Sequence, residues 1–183
     1  MVLSVHSDAS YLSERNARSR AGGHHYLSND EPTPPNNGAV LNLSQIIKNV
    51  MSSAAEAELG ALFINAKTAV PTRQTLIEMG HPQPRTPIQT DNSTAHGLVN
   101  NKIISRATKS IDMNFHWLRC RGSQGQFRYY WRPGTENIGD YWTKHHPAAH
   151  HKAFRPRILT SRKYMDVMRA CAKMATATMA RVC

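Results

Sequence analysis

Residues 52–69, SSAAEAELGALFINAKTA, decide the fold class, because here the chain changes period. Leu59, Leu62, Phe63 and Ala66 recur at helical spacing. Ser52 or Ser53 stands where a helix N-cap belongs, with Glu56 within reach of a capping box. Pro71 is expected to interrupt this helix, and residues 72–81, TRQTLIEMGH, to resume it before Gly80. Everything ahead of it reads as strand. Residues 2–8, VLSVHSD, are β-type and end in Asp8; 23–29, GHHYLSN, form a second short run; 39–50, AVLNLSQIIKNV, form a third. The intervening 29–38, NDEPTPPNNG, crowds Pro, Asn and Gly as a loop does. Three strands on short connections predict an antiparallel meander.

Beyond the helix the elements alternate. Residues 85–91, RTPIQTD, read as a strand ending in Asp91, and 92–101, NSTAHGLVNN, as a short helix. In 108–121, TKSIDMNFHWLRCR, Ile111, Phe115 and Leu118 share a helix face. Then come a β-rich run at 126–132 (QFRYYWR), a turn at 133–137 and a final short helix at 138–146. The order is βββαβααβα, an α/β pattern without internal repeat. From about Arg155 the chain changes character. Met165, Met168, Ala172, Ala175 and Met179 keep helical spacing, but Ala and Met specify packing poorly, so a loosely held helical extension is expected.

The chain has 183 residues with 23 Lys+Arg, 12 Asp+Glu and a formal charge of +11. That length allows one domain, or one domain and a tail. The 40% apolar content supports a core and excludes wholesale disorder. No run approaches the ~18–20 apolar residues of a membrane span. The N-terminus has no basic stretch ahead of its apolar run, so no secretory signal is read. Cys120, Cys171 and Cys183 are odd in number and lack CxxC spacing, which points to a reducing compartment. Residues 1–101 carry a net charge of −1 and residues 102–183 a net charge of +12. The basic half suits a polyanion, nucleic acid first, or is a solvated tail.

Acids are scarce, so their positions are legible. Asp8 and Asp91 end strands, Glu58 lies in the first turns of the long helix, and Asp140 starts a helix after the fifth strand. Side-by-side strands would bring these four together, and four close carboxylates repel unless cations join them. Hard Mg²⁺ or Mn²⁺ takes such oxygen ligands, and two ions can serve phosphodiester hydrolysis. A strand-ending Asp that only caps a turn is the simpler alternative.

Five segments occur in a telling order: VHSDASY, SSAAEAELGAL, PIQTDNSTAHGL, RATKSIDMNFHWLR and YYWRPGTENIGDYWTKHHP. Together they resemble the ribonuclease H domain at the C-terminal end of copia-type retrotransposon Pol polyproteins, from about Val2 to His151. The resemblance implies a ribonuclease H-like fold, a mixed five-stranded sheet with helices on both faces. It implies a domain over residues 1–153, followed by a basic extension over 154–183. It places the metal-binding, catalytic acids on Asp8, Glu58, Asp91 and Asp140, with two Mg²⁺ or Mn²⁺ ions as cofactors. Glu58 is preferred to Glu56 because it precedes the Leu-x-Ala that opens the apolar face; Glu56 is left as a capping or outer group. Asp8 would bridge both ions, Asp91 and Glu58 serve mainly one, and Asp140 the other.

The activity implied is cleavage of the RNA strand of an RNA–DNA hybrid, read through backbone and 2′-OH contacts. The candidate phosphate contacts are Asn92, Ser93, Lys102, Arg106, Lys109, Arg119, Arg121 and Lys144. Trp117, Tyr129, Tyr130, Trp131 and Trp142 could stack on bases, although at least half are expected in the core. The loop before Asp140, RPGTENIG, lacks the histidine that many cellular ribonucleases H carry there. His145, His146, His150 and His151 follow Asp140 instead and read as a basic segment, not a zinc site. No reverse-transcriptase, protease or integrase signature is found. An isolated remnant or separate reading frame of a retrotransposon is therefore expected, intracellular and membrane-free, with a reverse transcriptase domain as a candidate partner. An inactive nucleic-acid-binding remnant is the alternative.

Overall fold

The computed structural model describes residues 1–100 and 112–159. Its strands are β1 (Val2–Glu14), β2 (Arg18–Ser28), β3 (Ala39–Ile46), β4 (Thr86–Thr90) and β5 (Phe127–Trp131). Its α-helices are α1 (Ala54–Glu78), α2 (Ser93–Val99), α3 (Asp112–Ser123) and α4 (Ala148–Ile158). The strands form one sheet in the order β3-β2-β1-β4-β5. β1, β2 and β3 pair antiparallel, as the meander predicted, while β1–β4 and β4–β5 are parallel. The sheet is thus mixed and five-stranded.

Successive β1 side chains alternate faces. Leu3 and Val5 enter a core with Leu59, Leu62 and Ala66 of α1, Ile88 of β4, Leu98 of α2, Leu118 of α3 and Phe127 of β5. Helices α1, α2 and α3 therefore share one side of the sheet. On the other side His6, His24 and Tyr26 form a ring cluster that the β2–β3 loop closes over. Tyr26 Oη donates to Pro34 O, and His24 Nε2 lies 3.0 Å from Asn37 O. A 3₁₀ helix, Ile138–Trp142, meets this side too, through a hydrogen bond from Ile138 N to His6 Nδ1.

Three local expectations are corrected. Asp8 does not end β1, which runs six residues further into a hairpin with β2. The polar stretch there hid the pairing, and a register shift lies between Ser10 and Glu14. The hairpin tip has positive φ at Leu12, Asn16 and Ala17. Pro71 does not interrupt α1. Flanking turns are held by burial of Ala69, Arg73 and Leu76, and the Arg73 guanidinium donates to Pro84 O and Thr86 Oγ1. The helix expected over 138–146 is a single 3₁₀ segment.

Residues Met1–His145 form one compact unit, and a second begins at His146. Helix α4, in the second unit, crosses position 153, where the sequence placed the end of the domain. Within that unit the His146 and His150 rings stack at 4.2 Å. The Met- and Ala-rich tail beyond Leu159 lies outside the described residues. Among the described residues, no helix is long and apolar enough to cross a membrane.

Candidate metal centre

The parallel register of β1 and β4 pairs Val5 with Ile88 and His6 with Gln89. The same offset sets Asp8 beside Asp91, one residue beyond the end of β4. From the helical side, Ser53 caps α1 by accepting from Glu56 N, and Glu56 Oε2 accepts in return from Ser52 N at 2.8 Å. Glu56 is thereby the capping acid. Glu58, two residues on and only 6% exposed, turns inward. Asp8, Glu58 and Asp91 each offer a carboxylate oxygen within 4.8 Å of the others.

The acids are costly where they stand. Burial, then the charges of Asp91 and Asp140, push the Asp8 carboxyl up to about 6, against the lowering effect of Thr143, whose hydroxyl donates to Asp8 Oδ2 at 2.6 Å. Burial raises Glu58 well above the carboxylate range, with Asp8 and Asp91 adding to it. Its Oε1 accepts from Ala9 N at 3.1 Å, while Oε2 is buried without a well-placed donor. Burial raises Asp91 as well. Two glycines leave room around the aspartates. A Cβ on Gly134 would stand 2.7 Å from Asp91 Oδ2, and one on Gly139 would stand 3.0 Å from Asp8 Cβ.

Asp140 lies outside the close trio. Its carboxylate takes an ion pair from Lys144, one helical turn on, while its charge still bears on Asp8 and Asp91. Lys144, read from sequence as a phosphate contact, thus faces the acids. Asn92 caps α2, its Oδ1 accepting from Ala95 N at 2.9 Å, and Ser93 opens that helix. On α3, Arg119 lies over Phe115 at 4.9 Å and Arg121 over Trp117 at 5.0 Å. Lys102, Arg106 and Lys109 lie outside the described residues. Of the aromatic candidates, Tyr129 is buried and donates to Leu118 O, and Trp117 packs against the core. Trp131 is 45% exposed and holds Asp91 O through Nε1 at 2.8 Å.

Sequence reading missed the polar residues that support β1. Asn65, on α1, is fully buried. Its Nδ2 lies within hydrogen-bond distance of Ser7 Oγ, Gly22 O and Ala61 O, and its Oδ1 faces His25 Nε2 at 3.0 Å. The Nε2–H tautomer of His25 fits this contact, and burial holds its pKa down at about 4. The signal was present, since Asn65 follows Glu58 by two turns on one helix face.

Among solved structures, the chain is similar to the N-terminal RNase H domain of a Mycobacterium tuberculosis protein, solved fused to maltose-binding protein. The TM-score is 0.53 at 14% identity, over 78% of this chain and 90% of that one. The fold is that of ribonuclease H. A ribonuclease H isolated from compost by a metagenomic approach gives a TM-score of 0.55 at 10% identity, over 76% of this chain and 91% of that one. The same enzyme in complex with an RNA/DNA hybrid also gives 0.55 at 10% identity, over 76% and 92%. No protein-family profile matches the sequence, and no curated protein matches it. The ribonuclease H fold therefore rests on shape, and the chemistry on the residues above.

Proposed function

We propose that the chain is a metal-dependent endoribonuclease that cleaves the RNA strand of RNA–DNA hybrids. The observation that carries this reading is the convergence of Asp8, Glu58 and Asp91 on one point of a ribonuclease H fold. The donor set fits a hard divalent cation: all ligand atoms are oxygen, two of the three acids are buried, and burial of charge is their main cost, with mutual repulsion added to it. Asp8, Glu58 and Asp91 would hold one Mg²⁺ or Mn²⁺, and Asp8 with Asp140 a second. Bound ions supply water activation and charge stabilisation at the leaving oxygen.

The protein's own part is placement. The β1–β4 register sets Asp8 against Asp91, the α1 cap aims Glu58, Gly134 keeps a side chain off the Asp91 carboxylate, and Gly139 lets the 3₁₀ segment approach Asp8. Asn92, Ser93, Arg119, Arg121 and Lys144, with Lys102, Arg106 and Lys109, remain the proposed phosphate contacts. A similar structure holds an RNA/DNA hybrid, which supports that substrate class. The five ordered motifs support a copia-type retrotransposon origin, a domain over 1–153, an intracellular setting and a reverse transcriptase as neighbour.

The test is cleavage of a hybrid labelled on its RNA strand, with Mg²⁺ and with EDTA. Wild type should cut only with the ion, and Asp91→Asn should not cut. Salt-sensitive hybrid binding without cleavage at any Mg²⁺ or Mn²⁺ concentration would replace this reading with a non-catalytic remnant.

A further inference from the structure

The segment 137–144, NIGDYWTK, meets β1 at three successive strand residues, His6, Ser7 and Asp8. Asn137 Nδ2 donates to Ser7 O at 2.8 Å, Ile138 N donates to His6 Nδ1 at 3.2 Å, and Thr143 Oγ1 donates to Asp8 Oδ2 at 2.6 Å. The first two anchor a loop to a strand. The third touches one of the clustered carboxylates.

Thr143 has little freedom. It is 4% exposed, and its methyl fills the space that Gly22 leaves, since a Cβ there would stand 2.6 Å from Thr143 Cγ2. Its oxygen lies 2.6 Å from Asp8 Oδ2 and 3.0 Å from Asp140 O. A hydroxyl has one proton for these two acceptors. The nearer, charged oxygen takes it, because hydrogen bonds to carboxylates are shorter and stronger. The oxygen therefore stands between the side chain of one acid and the backbone of another.

We propose that Thr143 is a positioning residue of the acidic site: its hydroxyl fixes the Asp8 carboxylate and ties it to the turn that carries Asp140, so that both acids face a divalent cation in register. This rests on the metal reading above. Valine at this position keeps the shape and removes the donor, freeing the Asp8 carboxylate to rotate. Serine keeps the donor and loses only the methyl beside Gly22. A role confined to packing would affect stability and leave the ion affinity of the folded protein unchanged.

The experiment uses the full chain as wild type, Thr143→Val, Thr143→Ser and Asp91→Asn. Mn²⁺ binding is read from the loss of the free-ion electron paramagnetic resonance signal, beside thermal melts in EDTA. Thr143→Val should bind Mn²⁺ about tenfold more weakly than wild type, and Thr143→Ser within about twofold of it, at a temperature where both are folded. If Thr143→Val unfolds early, Thr143→Ala compared with Thr143→Ser below the melt makes the same contrast. Equal binding by wild type and Thr143→Val overturns the proposal, as does a Thr143→Ser variant as weak as Thr143→Val. If wild type binds no more Mn²⁺ than Asp91→Asn, the metal reading fails first and takes this role with it.

Discussion

Leu3 and Val5 point from β1 to one side of the sheet, His6 and Asp8 to the other, and the two sides are held by different means. On the first side, Leu59, Leu62, Ile88, Leu118 and Phe127 fill volume against the strand. On the second, the buried groups are polar: His6, His24, Tyr26, Asn137 and Thr143, each tied by hydrogen bonds to a loop or to β1 itself. A face packed by volume accepts a different shape of equal size. A face built on hydrogen bonds accepts only a residue that replaces the same donor or acceptor, because an unmet buried polar group costs more than a bond gained. Asp8 and Thr143 sit on the second kind of face, where directions are fixed.

The largest expected effect breaks function and leaves both faces standing. Asp91→Asn should lower hybrid cleavage by about a thousandfold or more, the several kcal/mol that an ion ligand contributes. Its melting temperature in EDTA should match or exceed that of wild type, since a raised carboxyl is removed. A variant that cuts normally would remove Asp91 from the site. Next comes a matched pair of core changes. Leu62→Met should cost under about 1.5 kcal/mol in urea unfolding. Asn65→Leu, similar in size, should cost about 2–4 kcal/mol, because His25 Nε2, Ser7 Oγ and Gly22 O lose their partner. Both residues lie on α1, and equal costs would erase the distinction between packing by volume and holding by hydrogen bonds.

A smaller effect depends on pH. The folded-state pKa of Glu58 lies above its unfolded value, so its contribution to stability is full at low pH and is lost as pH rises. Glu58→Gln in EDTA should therefore gain on wild type by about 1 kcal/mol or more at pH 8, and by little near pH 4. Melts across that range check the sign, and a gain that grows toward acid would refute it. The smallest effect is expected at Lys144. Its side chain is 56% exposed, so Lys144→Met should change stability by under about 1 kcal/mol, read in urea.

The sequence showed what repeats locally. Alternation and helical period located all five strands and the long helix, and the scarcity of acids made Asp8, Glu58 and Asp91 stand out. The capping box separated Glu56 from Glu58 because that contact spans four residues. Long-range features were less legible. The β1–β2 hairpin was read short because its extension is polar and paired only across the strand. Pro71 was read as a break because the burial that holds its flanks is tertiary. Asn65, Asn137 and Thr143 looked like ordinary polar residues, since the partners that matter to β1 and β2 lie 40 to 135 positions away.

Gly134 shows what this architecture demands of a position with no side chain. It sits in an exposed turn, away from any core, yet the smallest added carbon would stand 2.7 Å from an Asp91 carboxylate oxygen. In a saturation library scored for abundance, its alanine codon should pass unnoticed. Scored for hybrid cleavage, the same codon should drop out beside those of Asp91. A residue that contributes no atoms to the chemistry would then map as part of it, marked by the space it keeps empty.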